Sequence, residues 1–69
     1  MRILVQQTRN GKLYVYDREK NMMSGPVRQG DRENFYGKVP EDIDLAAVAC
    51  DTPVKSWNWQ EWQVLERTA

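Results

Sequence analysis

Two runs of β-branched and aromatic residues open the chain and flank a strong turn signal. Residues 3–5 (Ile-Leu-Val) and 13–16 (Leu-Tyr-Val-Tyr) lie on either side of Asn10-Gly11. An Asn-Gly pair between two such runs is typical of a β-hairpin. The pattern therefore predicts an antiparallel hairpin over residues 2–17.

The alternation of apolar and polar residues predicts the length of the hairpin turn. A three-residue loop, Arg9-Asn10-Gly11 with Gly11 in the left-handed conformation of a bulge, pairs Val5 with Val15. One face then carries Ile3, Val5, Leu13 and Val15, and the other carries Gln6, Thr8, Tyr14 and Tyr16. A slip of one residue inverts the faces of a strand, so this clean segregation favours the three-residue loop.

The stretch that follows, residues 18–34, is polar and is interrupted by Gly25-Pro26. Such a composition predicts turns or a long loop. Two adjacent methionines within it allow a short third strand over residues 22–29. Pro26 would restrict that strand to the edge of a sheet, because proline cannot donate to a strand ladder.

One helix is predicted over about residues 41–50. Pro40 suits the first helical position, and three acids suit the positive end of the helix dipole: Glu41, Asp42 and Asp44. Apolar residues then recur at helical spacing, namely Ile43, Ala46, Ala47 and Cys50. Thr52 precedes a proline and is driven out of the helical region, which ends the helix.

Residues 54–68 fit two different structures. As a strand, the segment alternates large and polar residues, with a bulge at Gln60-Glu61 that shifts the phase. As a helix, it would begin with a capping box made by Asn58 and Glu61. The rest of the chain is rich in β-formers and the hairpin needs a third strand, so we favour a strand over about residues 56–66.

Together these elements predict a single α+β domain spanning residues 1–69, with a small antiparallel sheet packed against one helix. Its core is thin for its length. Ordering a chain costs roughly 1.5 kcal/mol per residue, and a domain of this size buries only about 60% of its unfolded surface. A homodimer or a larger partner would relieve that shortage.

The composition excludes most catalytic chemistry. The chain has no histidine and a single cysteine, Cys50. Without imidazole there is no Ser-His or Cys-His nucleophile pair and no histidine zinc site. A carboxylate-only site would need a cleft that so small a domain rarely encloses. We therefore expect no enzymatic activity, no cofactor and no metal, and we expect Cys50 to be a small core residue.

The same counts bear on the compartment. A lone cysteine gives no disulfide framework, which fits a reducing cytoplasm. No segment reaches the roughly 18 apolar residues of a membrane span. The apolar start turns polar at Gln6, which is too early for a signal peptide. We expect a cytoplasmic protein that does not enter membranes.

Zero net charge conceals an uneven distribution. Residues 1–38 carry eight basic and four acidic residues, whereas residues 39–69 carry two basic and six acidic residues. The two halves either neutralise each other in the fold or form a two-sided surface that steers a charged partner.

The aromatic residues are the strongest candidates for recognition. Three tryptophans lie close together, Trp57, Trp59 and Trp62, and two tyrosines alternate on the hairpin, Tyr14 and Tyr16. Trp and Tyr are enriched at binding hot spots, although a small domain also uses them as core. The acids Glu41, Asp42 and Asp44 would add a charged rim to a partner-binding surface, unless they only complement the helix dipole.

The tyrosines also suggest a second function. Bases stack on aromatic rings exposed on a sheet, and four basic residues of the hairpin region could contact phosphates: Arg2, Arg9, Lys12 and Arg18. Zero net charge and an acidic second half disfavour this nucleic-acid hypothesis.

We therefore expect a non-enzymatic protein-binding module whose partner is a larger protein or protein complex. Small modules of this kind are frequent among phage and mobile-element proteins that inhibit a larger host complex, anti-CRISPR proteins included. That analogy rests on size and chemistry alone. The alternatives are a single-stranded nucleic-acid-binding domain and a structural subunit completed by homodimerisation.

Overall fold

A computed structural model describes residues 1–30, 40–54 and 60–68, with the backbone alone for residues 66–68. Its strands are β1 (Arg2–Gln7), β2 (Leu13–Asp17), β3 (Met22–Met23), β4 (Thr52–Pro53) and β5 (Trp62–Thr68). They form one sheet in the order β4-β3-β2-β1-β5, and every neighbouring pair is antiparallel. β1 thus lies between its hairpin partner β2 and the C-terminal strand β5.

The predicted helix over residues 41–50 is wrong, and with it the α+β class. The described residues form no helix, and they build a small antiparallel five-stranded sheet. Residues 40–50 instead cross one face of the sheet as an irregular segment with a single turn. In that turn Asp44 Oδ1 accepts the N–H of Ala46 at 3.1 Å, a local bond that competes with helix formation.

Arg2 explains why this segment does not close into a helix. Its Nη1 donates to the carbonyl oxygens of Leu45, Ala46 and Val48 at 2.9, 3.1 and 2.5 Å. A helix over residues 41–50 would use the carbonyls of Leu45 and Ala46 for its own N–H groups. About ten residues make only a marginal helix in isolation, so a guanidinium from β1 that satisfies three carbonyls is enough to hold another conformation.

The hairpin forms as predicted, but its turn is longer. Gln7 N donates to Lys12 O at 2.9 Å, and Gly11 N donates to Gln7 O at 2.8 Å, which leaves residues 8–11 as the loop. The left-handed conformation of Gly11 is confirmed, with φ 76°. The predicted three-residue loop and its pairing are wrong, since Val5 lies opposite Tyr14.

This register changes which residues share a face. The first face, here called the covered face, holds a core made of Leu4, Leu13, Val15, Ile43, Leu45 and Leu65. Residues 40–50 lie across it, and Cys50 packs against it. The second face, here called the aromatic face, holds Ile3, Val5 and Met23 with Tyr14, Tyr16, Val54 and Trp62 packed on them. The turn prediction failed because it assumed one apolar and one polar face, whereas β1 is buried on both.

The predicted third strand is only partly formed. β3 covers Met22–Met23, and beyond Gly25-Pro26 the chain returns to β2 as a single bridge between Leu13 and Arg28. β4 lies outside β3 in the sheet, so β3 is not the edge strand that was predicted.

The C-terminal segment is a strand where the structure describes it. β5 begins at Trp62 rather than at about residue 56, and residues 55–59 lie outside the described part of the chain. Gln60 and Glu61 precede β5 and so form no bulge within it; the register of β5 on β1 shifts between Val64 and Thr68.

Asp17 stabilises the end of β2 on the covered face through hydrogen bonds and an ion pair. Its Oδ1 accepts the N–H groups of Glu19 and Lys20 at 3.0 and 3.3 Å, and its Oδ2 lies 3.6 Å from Arg2 Nε. Burial by itself would raise the pKa of Asp17. The two N–H donors, Arg2 and the terminal ammonium outweigh burial and hold the pKa of this carboxyl below its ordinary value.

Candidate functional site

The aromatic face brings together three of the predicted binding residues. Tyr14 on β2 lies opposite Val5, and Trp62 on β5 lies opposite Gln7. Both therefore flank β1 on the same side of the sheet. Their rings meet edge to face, with centroids 5.0 Å apart and planes at 78°, a geometry that aromatic pairs prefer.

Tyr16 lies on the same face and is fixed by a polar contact. Its hydroxyl donates to Asn21 Oδ1 at 2.6 Å, and Asn21 Nδ2 donates to Val54 O at 3.0 Å. Asn21 itself takes a left-handed conformation, with φ 53°, which asparagine tolerates better than most residues. The ring of Tyr16 is thus held between β2 and the β4 end of the sheet.

These aromatic side chains rest on a buried apolar layer and remain half-exposed themselves. Ile3 is 4% exposed and Val5 is fully buried, while Tyr14, Tyr16 and Trp62 keep intermediate exposure. Val64 follows Trp62 on the same face and is 43% exposed, one of two large hydrophobic side chains classed as exposed among the described residues. The result is a firm apolar surface that stays accessible.

Two other predicted residues cannot be added to this surface. Trp57 and Trp59 lie outside the described part of the chain. Gln6 was predicted to share a face with Tyr14 and Tyr16, but it lies on the covered face. There its side chain is fully buried, and its Nε2 donates to Gly11 O at 3.2 Å.

The predicted acidic residues lie on the other side of the molecule. Glu41, Asp42 and Asp44 are exposed on the segment that crosses the covered face. Asp42 forms an ion pair with Arg28, and Asp44 caps its own turn. The acids therefore do not rim the aromatic face, and no helix dipole accounts for them.

The four predicted phosphate contacts do not form one patch. Arg2 donates to the carbonyls of residues 45–48 and is no longer available. Arg9 and Arg18 are exposed in turns at opposite ends of β2. Lys12 precedes β2 and alternates in phase with Tyr14, so it borders the aromatic face. The geometry weakens the nucleic-acid hypothesis, since Arg2 is engaged within the fold and Arg9 and Arg18 lie at opposite ends of β2.

Sequence reasoning missed the contributions of Val54 and Asn21. Val54 packs against the aromatic core, and Asn21 links Tyr16 to Val54. The available signal for Asn21 was its position between the hairpin and the two methionines, where a left-handed turn residue is expected. Nothing in the local pattern indicated Val54, because β4 is only two residues long.

Two further observations limit the chemistry of the described residues. No group of three His, Cys, Asp or Glu side chains among them is placed to hold a metal ion. No helix formed by those residues has the length and apolar character needed to cross a bilayer.

The chain was also compared with known proteins. No protein-family model matches it, no curated protein matches it, and no solved structure matches it. The surfaces of the sheet therefore carry the information on function.

Proposed function

We propose that this protein is a non-enzymatic protein-binding module and that the aromatic face is its contact surface. The observation that carries the proposal is the edge-to-face pair of Tyr14 and Trp62 above the buried Ile3 and Val5. A half-exposed aromatic pair on a rigid sheet offers a large contact area that loses little side-chain freedom on binding.

The surface has the composition of a binding hot spot. Tyrosine and tryptophan are enriched where interfaces carry most of their energy, and both present an apolar ring together with a polar group. Val64 extends the apolar surface toward β5. Lys12, beside Tyr14, supplies a charge at the border, which fits an interface with an apolar centre and a polar rim.

The partner is proposed to be a larger protein or protein complex. The small size of the chain and its lack of histidine fit the class of small phage or mobile-element inhibitors, of which anti-CRISPR proteins are examples. This part of the proposal rests on analogy. The single cysteine suits a reducing cytoplasm. The unequal charge of the two chain halves would help to orient such a partner during encounter.

Affinity capture from the native cell with paired variants tests the proposal. The Trp62→Ala variant should lose the specifically captured partner, because it removes the ring that contacts Tyr14. The Val48→Ala variant is the control, since Val48 is a half-buried apolar residue on the covered face. Circular dichroism of each variant establishes that it is folded under the capture conditions.

The expected result is a partner enriched with the wild type and with Val48→Ala, and lost with folded Trp62→Ala. Equal capture by all three proteins would show that the aromatic face is not the contact surface. Capture of no protein by the wild type from its native cell would contradict the protein-binding function itself.

A further inference from the structure

The hairpin turn contains an asparagine that is followed directly by a glycine. Of the four asparagines in the chain, only Asn10 precedes glycine, and the other three precede Met22, Phe35 and Trp59. Glycine has no Cβ, so its backbone nitrogen can reach the preceding asparagine side chain without steric hindrance. Asn10 is therefore the asparagine of this chain best suited to spontaneous deamidation.

The reaction needs only the chain and water. The Gly11 nitrogen loses its proton to solvent and attacks Cγ of Asn10, so that a new C–N bond forms. The Cγ–Nδ2 bond then breaks, and Nδ2 takes a proton from solvent and leaves as ammonia. Water opens the resulting succinimide at one of its two carbonyl groups, which gives aspartate or isoaspartate. Either product carries a negative charge that Asn10 lacks.

In the folded turn, hydrogen bonds engage both the nucleophile and the leaving group. Gly11 N donates to Gln7 O at 2.8 Å, so its proton faces a neutral carbonyl oxygen rather than a base in solvent. Asn10 Nδ2 donates to Gln7 Oε1 at 2.7 Å, which holds the amide group in place. Both bonds have to break before the ring can close.

A third hydrogen bond has the opposite effect. Lys12 N donates to Asn10 Oδ1 at 2.9 Å. A donor at this position stabilises the negative charge that develops on the oxygen during attack. The turn thus activates the carbonyl group of Asn10 while it withholds the nitrogen that would attack it.

Packing around Gly11 keeps the turn closed. Gly11 is buried, and its carbonyl oxygen accepts Gln6 Nε2 at 3.2 Å. The backbone of Gly30 lies directly against it, so that a Cβ at Gly30 would overlap the carbonyl group of Gly11 and the nitrogen of Lys12. A Cβ at Gly25, by contrast, would meet no described atom within 4 Å.

From these contacts we propose that Asn10 is a site of spontaneous deamidation that the folded turn suppresses. Conversion proceeds when the loop of residues 8–11 opens and releases Gly11 N, so its rate follows a local opening of the hairpin. Isoaspartate would add a main-chain carbon to this tightly packed loop and would prevent it from closing again. The inference is independent of the proposed function, because it assumes nothing about the aromatic face.

Deamidation of the full chain, folded and denatured, tests the proposal. Peptide mass spectrometry after digestion in acid measures conversion of Asn10, with aspartate and isoaspartate separated by chromatography. In guanidinium chloride Asn10 should convert before Asn21. The folded protein should convert at least about tenfold more slowly, which corresponds to an opening free energy of about 1.4 kcal/mol or more. Equal rates in the two states would overturn the proposal, and so would no conversion in denaturant.

Two glycine variants test the role of packing. Gly30→Ala should raise the rate of the folded protein toward that of the denatured chain, because the new Cβ displaces the backbone from Gly11. Gly25→Ala is the matched control and should keep the wild-type rate. Circular dichroism establishes that each variant is folded. A folded Gly30→Ala that converts at the wild-type rate would overturn the proposal.

A glutamine variant decides the matter if Gly30→Ala does not fold. Gln7→Leu removes the acceptor of Asn10 Nδ2 and leaves the backbone unchanged. Losing one such hydrogen bond should raise the rate by about 2–10-fold. Gln29→Leu, at an exposed position, is its control and should convert like the wild type. A wild-type rate in folded Gln7→Leu would then overturn the proposal.

Discussion

The two faces of the sheet use the same strands but are closed by different means. On the covered face, a backbone segment crosses the sheet and is anchored by hydrogen bonds from Arg2 to three carbonyls. On the aromatic face, side chains of the strands themselves shield Ile3 and Val5. The backbone of a crossing segment has N–H and C=O groups that need hydrogen-bond partners. Aromatic side chains instead add apolar surface and remain partly accessible to solvent. The aromatic face therefore keeps an accessible apolar surface that can bind another molecule.

The largest expected difference in stability is between truncating a buried residue of the covered face and truncating an exposed residue of the aromatic face. Leu4 is fully buried and Val64 is 43% exposed. Leu4→Ala should lower the free energy of unfolding by about 2–5 kcal/mol, because it leaves a cavity in the core. Val64→Ala should cost less than about 1 kcal/mol. Urea titrations give both values, and equal losses would contradict the assigned faces.

The next effect tests the anchor of the covered face. Arg2→Met keeps an unbranched apolar stem but removes the hydrogen bonds to Leu45, Ala46 and Val48. A loss of about 1–3 kcal/mol is expected, together with faster protease cleavage near residues 45–48. Arg18→Met, an exposed arginine, is the control. Unchanged cleavage in Arg2→Met would mean that apolar packing alone holds the segment.

A smaller effect tests the aromatic face from within. Tyr14 and Trp62 meet edge to face at 5.0 Å, a geometry that contributes about 0.5–1.5 kcal/mol beyond buried area. A double-mutant cycle with Tyr14→Leu and Trp62→Leu, measured by denaturant unfolding, should give a coupling energy in that range. Additive losses would show that the rings only share a surface.

The smallest effect concerns acid. The pKa of Asp17 is held below its ordinary value in the folded protein, so its ionised form stabilises the fold at any pH well above about 4. That contribution is lost as the pH falls through the folded pKa. The melting temperature should therefore fall below about pH 4, and it should fall less steeply in Asp17→Asn. Asp51→Asn, at an exposed position, should keep the wild-type slope.

The parts of the fold that could be predicted from sequence are those fixed by local chemistry. Asn10-Gly11 and the flanking β-formers were sufficient for the hairpin, and Gly11 takes the left-handed conformation that was expected. The strand rather than the helix was favoured for the C-terminal segment, and β5 confirms that choice from Trp62 onward. In each case neighbouring residues carry the information.

The parts that failed depend on distant contacts. The acids and alanines of residues 41–50 favour a helix. Arg2, more than forty positions earlier, instead donates hydrogen bonds to the carbonyl oxygens of Leu45, Ala46 and Val48. The hairpin register depends on burial of β1 from both sides, which the alternation of apolar and polar residues in the hairpin does not reveal. The alternation of β2 placed Tyr14 and Tyr16 on one face, but Trp62 joins them only through the β1–β5 pairing. Trp57 and Trp59 fall outside the described residues, so the prediction for them stands untested.

The position of β1 between β2 and β5 sets an order of events during synthesis. Its neighbour β2 follows within the same hairpin, but its other neighbour is β5, and Ile3 pairs with Thr68. Contacts between such distant positions form late and slow the folding of a chain. Until β5 has been synthesised, the edge of β1 that pairs with it stays open to other strands.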